Sequence, residues 1–278
     1  MNSSYQLLLN SLKLTFLHIT PYKFDYTWRI PSRQIMHAVI WYMEEGEIRF
    51  SINGINHEAK AGQLIFLPPQ SVITGHAVSS QIGIISINFA AELSLLKGRI
   101  WSDIFKLPIA YPAYDMTIIE PVIRSMLRES TDSSFAQAML LQSNLQRLLA
   151  IMFNQYFQFN DTKLLPNLDP RVQAVIEYIS LQPEITPILA ELCGVVQISE
   201  SYLRKLFIDS TGMPPLTFIH QFKMEQAEKR LLSSTEKVAE IAYQLGYKDA
   251  NYFSRLFKKK TCYTPNDYRK KLRNWMND

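Results

Sequence analysis

Short apolar runs alternate with turn signals over the first hundred or so residues, and the apolar positions then change to a helical period. In "HAVIWYMEEGEIRFSINGINHEAKAGQLIFLPP", stretches rich in Ile, Phe, Tyr and Val are separated by "EEG", "NG" and "AG". Asn53-Gly54 is a strong hairpin signal, because both central residues of a type I′ turn need positive φ. "FLPP" ends a strand, since proline cannot continue a ladder, and "QIGIISINFA" reads as a further alternating strand. Many short strands with regular turns predict a small barrel or jelly roll over residues 1–110.

Residues 115–128 and 134–158 read as helices. In the second, Phe135, Met139, Leu145, Leu148, Leu149 and Met152 recur at steps of three and four and predict one apolar face. Leu140 and Leu141 widen that face. It suits a helix packed on its own barrel and equally a helix that pairs with a second subunit, so residues 111–158 are a candidate dimerisation segment. The polar, Pro-containing stretch over 159–169 reads as a linker. Asp169 then predicts an N-cap with Pro170 in the first turn of a helix.

The last ninety residues carry the strongest pattern. "LAELCGVVQISESYLRKLF" (189–207) and "VAEIAYQLGYKDANYFSRLF" (238–257) each read as a helix-turn-helix, whose second helix enters the DNA major groove. Thr186-Pro187 offers a cap and a first-turn proline for the first unit, Gln197 takes its turn, and Ser199 caps its second helix. Early exposed positions there are Glu200, Ser201, Arg204 and Lys205. In the second unit Asp249 is the cap. Ala250, Asn251, Ser254 and Arg255 face outward, and Tyr252, Phe253, Leu256 and Phe257 are expected in the core. Arginine suits guanine and asparagine suits adenine, whereas Lys258, Lys259 and Lys260 suit the phosphate backbone. The connecting segment, about 215–233, is roughly 28 Å long as a helix, close to the roughly 34 Å of one DNA turn.

Charge sharpens this picture. Residues 1–169 carry 13 Lys and Arg against 13 Asp and Glu, while residues 170–278 carry 16 against 12, so the whole net charge of +4 lies in the C-terminal part. A solvated basic tail would account for charge alone, but coincidence with a helix-turn-helix favours phosphate contact. Cys193 and Cys262 form neither a disulfide framework nor a zinc spacing, which fits a reducing cytoplasm. No apolar run reaches membrane-spanning length and no signal-peptide pattern opens the chain.

The region 170–273 resembles the AraC/XylS-type transcription regulators, through "ISESYLRKLF", "STGMPPLTFI", "KMEQAEKRLL", "VAEIAYQLGYKDANYFSRLFKK" and "YTPNDYR". The departures are Gln197 and Cys262, each at a usual glycine, and Ile208 at a usual lysine. The resemblance implies base reading by Ser201, Arg204, Lys205, Asn251 and Arg255, with double-stranded DNA and RNA polymerase as partners. The segment "WRIPSRQIMHAVIWYMEEGEIRFSINGINHEAKAGQLIFLPP" is similar to that family's cupin-like sensor domain, which implies a small effector inside the barrel and a homodimer. Activation is the commoner behaviour of the family. The expected class is therefore α+β, a cupin-like barrel with dimerisation helices followed by an all-α DNA-binding domain.

Arg29, Arg33, His37, Trp41, Tyr42 and His76 are the candidate effector residues, Arg29 foremost because it holds the Arg–x–Pro position. Many relatives carry a histidine soon after the double proline; here it comes only at His76. No "HxH" pair exists for a metal cupin, and no catalytic Ser/His/Asp set or Gly-rich phosphate loop is visible, so neither enzyme, metal nor other cofactor is expected. A DNA-binding protein whose barrel is only a dimerisation or partner-binding scaffold is the alternative.

Overall fold

The computed structural model of the protein describes residues 3–96, 99–105, 107–111, 115–159 and 168–274. The chain divides into two compact units, one comprising Leu12–Leu93 and Ile100–Asn167, the other Met1–Ser11, Ser94–Arg99 and Leu168–Asp278. Helix α1 (Ser3–Asn10) therefore groups with the C-terminal residues. Most of the predicted linker, residues 160–167, lies outside the described residues.

The first unit is a pair of antiparallel sheets with helices on one side. Its strands are β1 (Leu12–Asp25), β2 (Arg29–Gln34), β3 (Ala38–Glu45), β4 (Glu47–Ile52), β5 (Ile55–Lys60), β6 (Leu64–Leu67), β7 (Val72–Ala77), β8 (Gln81–Leu93) and, after helix α2 (Trp101–Phe105), β9 (Ala110–Tyr111). One sheet runs β1-β8-β3-β6-β9 and the other β2-β7-β4-β5. The predicted hairpin is present: Asn53 and Gly54 have φ of 51° and 82°, and β4 pairs β5 in register up to Ile52 and Ile55. Pro21 lies within β1, which is tolerated because β1 is an edge strand.

Alternation decides which side chains meet. Val39, Trp41 and Met43 of β3 and Ile82 and Ile84 of β8 face the other sheet, where Ile48, Phe50, Ile52 and Ile73 complete one core. The opposite face of β3 and β8 is also buried, under the helices. Phe66 and Phe89 hold Trp101 between ring centroids 5.5 and 5.9 Å away, and Phe105 meets Phe153 at 5.1 Å. Residues 82–89 of β8 are consequently buried throughout.

Helices α3 (Met116–Thr131) and α4 (Gln137–Phe159) supply that cover. Gln142 of α4 bonds the edge of β1, accepting from Phe16 N and donating to Leu14 O. Leu141, Leu145, Leu148, Leu149 and Met152 are buried as the period requires. Phe135 and Met139 depart from the expectation. Phe135 precedes α4, Met139 lies in its first turn, and both are exposed together with Leu140.

The second unit is helical. It contains α5 (Pro170–Leu181), α6 (Leu189–Val196), α7 (Glu200–Thr211), α8 (Pro215–Ser233), α9 (Val238–Gln244), α10 (Ala250–Thr261) and α11 (Pro265–Asn274). Asp169 caps α5 by accepting from Arg171 N at 2.9 Å. Arg171 also bonds both Asp169 carboxylate oxygens, at 2.9 and 2.7 Å, which lowers the carboxyl's pKa.

Candidate functional site

Two candidate surfaces arise, one in each unit. In the helical unit, α6–α7 and α9–α10 are the two predicted helix-turn-helix elements. Leu192, Leu203 and Phe207 bury the first pair, and Ile241, Ala242, Leu245, Phe253 and Phe257 bury the second. Ser199 caps α7 by accepting from Tyr202 N at 3.4 Å, and Asp249 caps α10 by accepting from Asn251 N at 2.8 Å.

The caps set which faces remain in solvent. Glu200, Ser201, Arg204 and Lys205 of α7 are exposed, as are Asn251, Arg255, Lys258 and Lys259 of α10. Ala250 and Ser254 are half-buried, and the Ser254 hydroxyl is engaged by the Ala250 carbonyl at 2.8 Å. Lys260 differs from its neighbours: it pairs with Glu228 of α8 at 3.1 Å, whereas Lys258 and Lys259 form no ion pair among the described residues.

Tyr252 is not a core residue. It is 45% exposed, with the Arg255 guanidinium 6.0 Å from its ring centroid. Tyr202, at the equivalent place in α7, is 44% exposed and lies 5.1 Å from the Arg171 guanidinium. Their spacing was readable: each follows its cap by three residues, one before the buried Leu203 or Phe253.

Thr186 and Pro187 do not cap α6, which starts at Leu189 and draws the Glu191 carboxylate back to Ile188 N at 3.0 Å. Thr186 serves another contact. Its hydroxyl accepts from Lys223 Nζ at 2.5 Å, and the same ammonium donates to the Leu245 carbonyl at 2.6 Å. Lys223 of α8 is fully buried, and that burial pushes its pKa down to about 8. One side chain thus ties the approach to α6 to the turn after α9. Helix α8 carries it over 19 residues, the length expected from the pattern.

In the β unit, a cavity of about 480 Å³ opens between the sheets. Arg29, Arg33, His37 and Trp41, four of the candidate effector residues, line it. Arg29 is anchored by its Nη1, which donates to the Tyr26 and Trp28 carbonyls at 2.9 and 2.8 Å.

Tyr42 and His76 lie elsewhere. Tyr42 follows Trp41 in one strand, so it must point to the other face, where it approaches Arg124 and Glu120 of α3. His76 pairs in register with Arg29 and Arg49 and borders a separate hollow of about 550 Å³ lined also by Ser51, Glu58 and Thr74.

Several lining residues escaped the sequence reading. Ser86 and Asn88 are buried polar residues two apart in the apolar strand β8. That interruption of the pattern was their signal, since both must face the side of Ile84. Ser86 Oγ accepts from Trp41 Nε1 at 3.1 Å and from Asn88 Nδ2 at 3.0 Å, while Asn88 Oδ1 lies 3.2 Å from His37 Nε2. Tyr22, Phe24 and Trp28 build an aromatic wall.

Among the described residues no group of three His, Cys, Asp or Glu is placed to hold a metal ion, and no helix is long and apolar enough to cross a membrane.

Residues 17–156 match the AraC-like ligand binding domain, and residues 192–271 match a helix-turn-helix domain. The chain is similar to the HTH-type transcriptional activator RhaR of Yersinia pestis, 26% identical over 56% of this chain and 54% of RhaR, and so spans about half the length of that relative. It is also similar to the raffinose operon transcriptional regulatory protein RafR of Pediococcus pentosaceus, 26% identical over 84% of this chain and 85% of RafR. Among solved structures, the C-terminal domain of AraT, a response regulator from Geobacillus stearothermophilus, is 30% identical over 37% of this chain and 87% of its own, with a TM-score of 0.37. These relatives are regulators and not enzymes. With a ligand-binding domain and a helix-turn-helix domain both matched in order, the chain belongs to the AraC family of DNA-binding transcription regulators.

Proposed function

We propose that this regulator is an activator whose DNA contacts respond to a small molecule held in the cavity between its sheets. The activating sense is supported by the similarity to RhaR, and RNA polymerase is then the partner. The observation that carries the reading is a lined cavity of about 480 Å³ in a chain that also presents two exposed helix faces for DNA. Helices α7 and α10 enter adjacent major grooves, with Ser201, Arg204, Lys205, Asn251 and Arg255 at base edges and Lys258 and Lys259 on phosphates. The protein acts in the cytoplasm as a homodimer. The exposed Phe135, Met139 and Leu140 at the start of α4 support that pairing. The effector shifts the population of dimer conformations and so the half-site spacing that both subunits reach.

Selection of bound sites from random DNA, at fixed salt and with or without a metabolite pool, tests this. The expected result is an enriched motif whose affinity or spacing changes with the pool. A motif indifferent to the pool would leave the barrel as a scaffold. Sedimentation of Met139→Glu tests the dimer: an unchanged dimer would remove α4 from the interface.

A further inference from the structure

We propose that the cavity takes an anionic saccharide, a sugar ring bearing a carboxylate or a phosphate ester. This rests on the reading that the barrel holds an effector, and it adds that effector's chemical class.

Three features of the lining converge. The first is a row of stacked aromatic rings. Tyr22 and Phe24 stack at 5.6 Å and 12°, Phe24 and Trp28 at 5.3 Å and 28°, and Trp41 meets Trp28 edge-on at 6.3 Å. Such a wall receives the C–H face of a pyranose.

The second is the buried polar chain from Trp41 through Ser86 and Asn88 to His37. Ser86 Oγ accepts two N–H groups, which leaves its own proton to donate. Asn88 commits one N–H to Ser86 and keeps the other. Hydroxyl groups, which both donate and accept, complete such a set. An alkyl chain or a bare aromatic ring leaves it unanswered.

The third is charge. The lining includes Arg29 and Arg33 but no Asp or Glu. Arg29 is held on backbone carbonyls, and Arg33 forms no ion pair among the described residues. A guanidinium at the rim of a walled cavity pairs with a carboxylate or phosphate through two parallel hydrogen bonds.

The test is titration of the full-length protein, followed by tryptophan fluorescence because Trp28 and Trp41 line the cavity, with calorimetry alongside. The probes are a hexuronate, a hexose 6-phosphate, the matching neutral hexoses and benzoate. We expect at least one anionic sugar to bind about tenfold or more tightly than its neutral parent, and Arg33→Gln to erase that preference while neutral-sugar binding moves by less than about twofold. The two anionic arms tell carboxylate from phosphate. Asn88→Leu should weaken all sugars alike.

Equal affinity for charged and neutral sugars would overturn the charge assignment and leave the effector reading intact. Binding of benzoate with no sugar would overturn the saccharide assignment. No binding by any probe would overturn the whole proposal, while a response to the metabolite pool would still uphold an effector of another class.

Discussion

The two helix-turn-helix units share one framework and differ in what they show to solvent. The framework repeats residue by residue. Leu203 matches Phe253 and Phe207 matches Phe257, all buried. Thr211 bonds the Phe207 and Met213 carbonyls at 2.7 and 3.0 Å, and Thr261 bonds those of Phe257 and Tyr263 at 2.9 and 3.0 Å. Each second helix ends on a left-handed residue, Gly212 at φ 79° and Cys262 at φ 66°, and each is followed by a helix that opens on proline.

The solvent faces diverge. Helix α7 sets Arg204 and Lys205 against Glu200 and Asp209, whereas α10 carries Arg255, Lys258, Lys259 and Lys260 with no acid. Where α10 has Lys258 and Lys259, α7 has Ile208 and Asp209. The arginine over Tyr202 comes from α5 and is committed to Asp169, while the arginine over Tyr252 comes from α10 itself. Packing constrains what repeats, and what differs is left to the ligand. On the proposed DNA-bound reading, α10 is then the electrostatic anchor and α7 the reader with fewer phosphate contacts.

The turns offer the largest test of this comparison. Gln197 ends α6 at φ 53° and is exposed, while Gly246 holds the equivalent place after α9 at φ 74°. A Cβ on Gly246 would collide with the Glu184 carbonyl and crowd Lys223 Nζ. Gly246→Ala should therefore cost about 3 kcal/mol or more of stability in the helical unit, measured by denaturant unfolding. A loss below about 1 kcal/mol would show that the two turns are interchangeable.

Binding measurements come next. Arg255→Ala should cost about 1–3 kcal/mol on a selected site and relax specificity at one position. Lys259→Ala should instead weaken all sequences alike and reduce the salt slope by about 0.9. Equal losses on selected and random DNA for Arg255→Ala would sink the base-contact assignment.

Lys223 tests the tie between the segment before α6 and the turn after α9. Its folded-state pKa of about 8 lies below the ordinary 10.5, so between these values the unfolded chain binds more protons and stability rises with pH. The stability of the natural protein relative to Lys223→Met should grow from pH 8 towards pH 10. A flat difference would remove the buried ammonium from the account.

The smallest effect concerns strain. Gln197→Gly and Cys262→Gly should each stabilise by about 0.5–1 kcal/mol, because relief of a left-handed side chain outweighs the added chain entropy. Thermal unfolding would report it, and destabilisation at either site would show that the side chain makes a favourable contact.

Much of this was legible beforehand for a physical reason. Caps, turns and apolar periods are local, so Asp169, Ser199, Asp249, the Asn53-Gly54 hairpin and the length of α8 could be read from neighbours in sequence. Strand alternation separates Trp41 from Tyr42, since adjacent strand residues face opposite ways. Thr186 does not cap α6 because its partner, Lys223, is far away in the chain, and nothing local distinguishes a capping threonine from one that accepts a buried ammonium.

The sequence by itself determined the α+β class, the two helix-turn-helix units, their exposed basic positions and the family, because these depend on short-range spacing and on charge. Only the tertiary structure decided that β8 is buried on both faces, that Ser86 and Asn88 meet Trp41 and His37 in one cavity, and that Lys223 ties the segment before α6 to the turn after α9. Each of these rests on residues distant in the chain, brought together by strand register and helix packing.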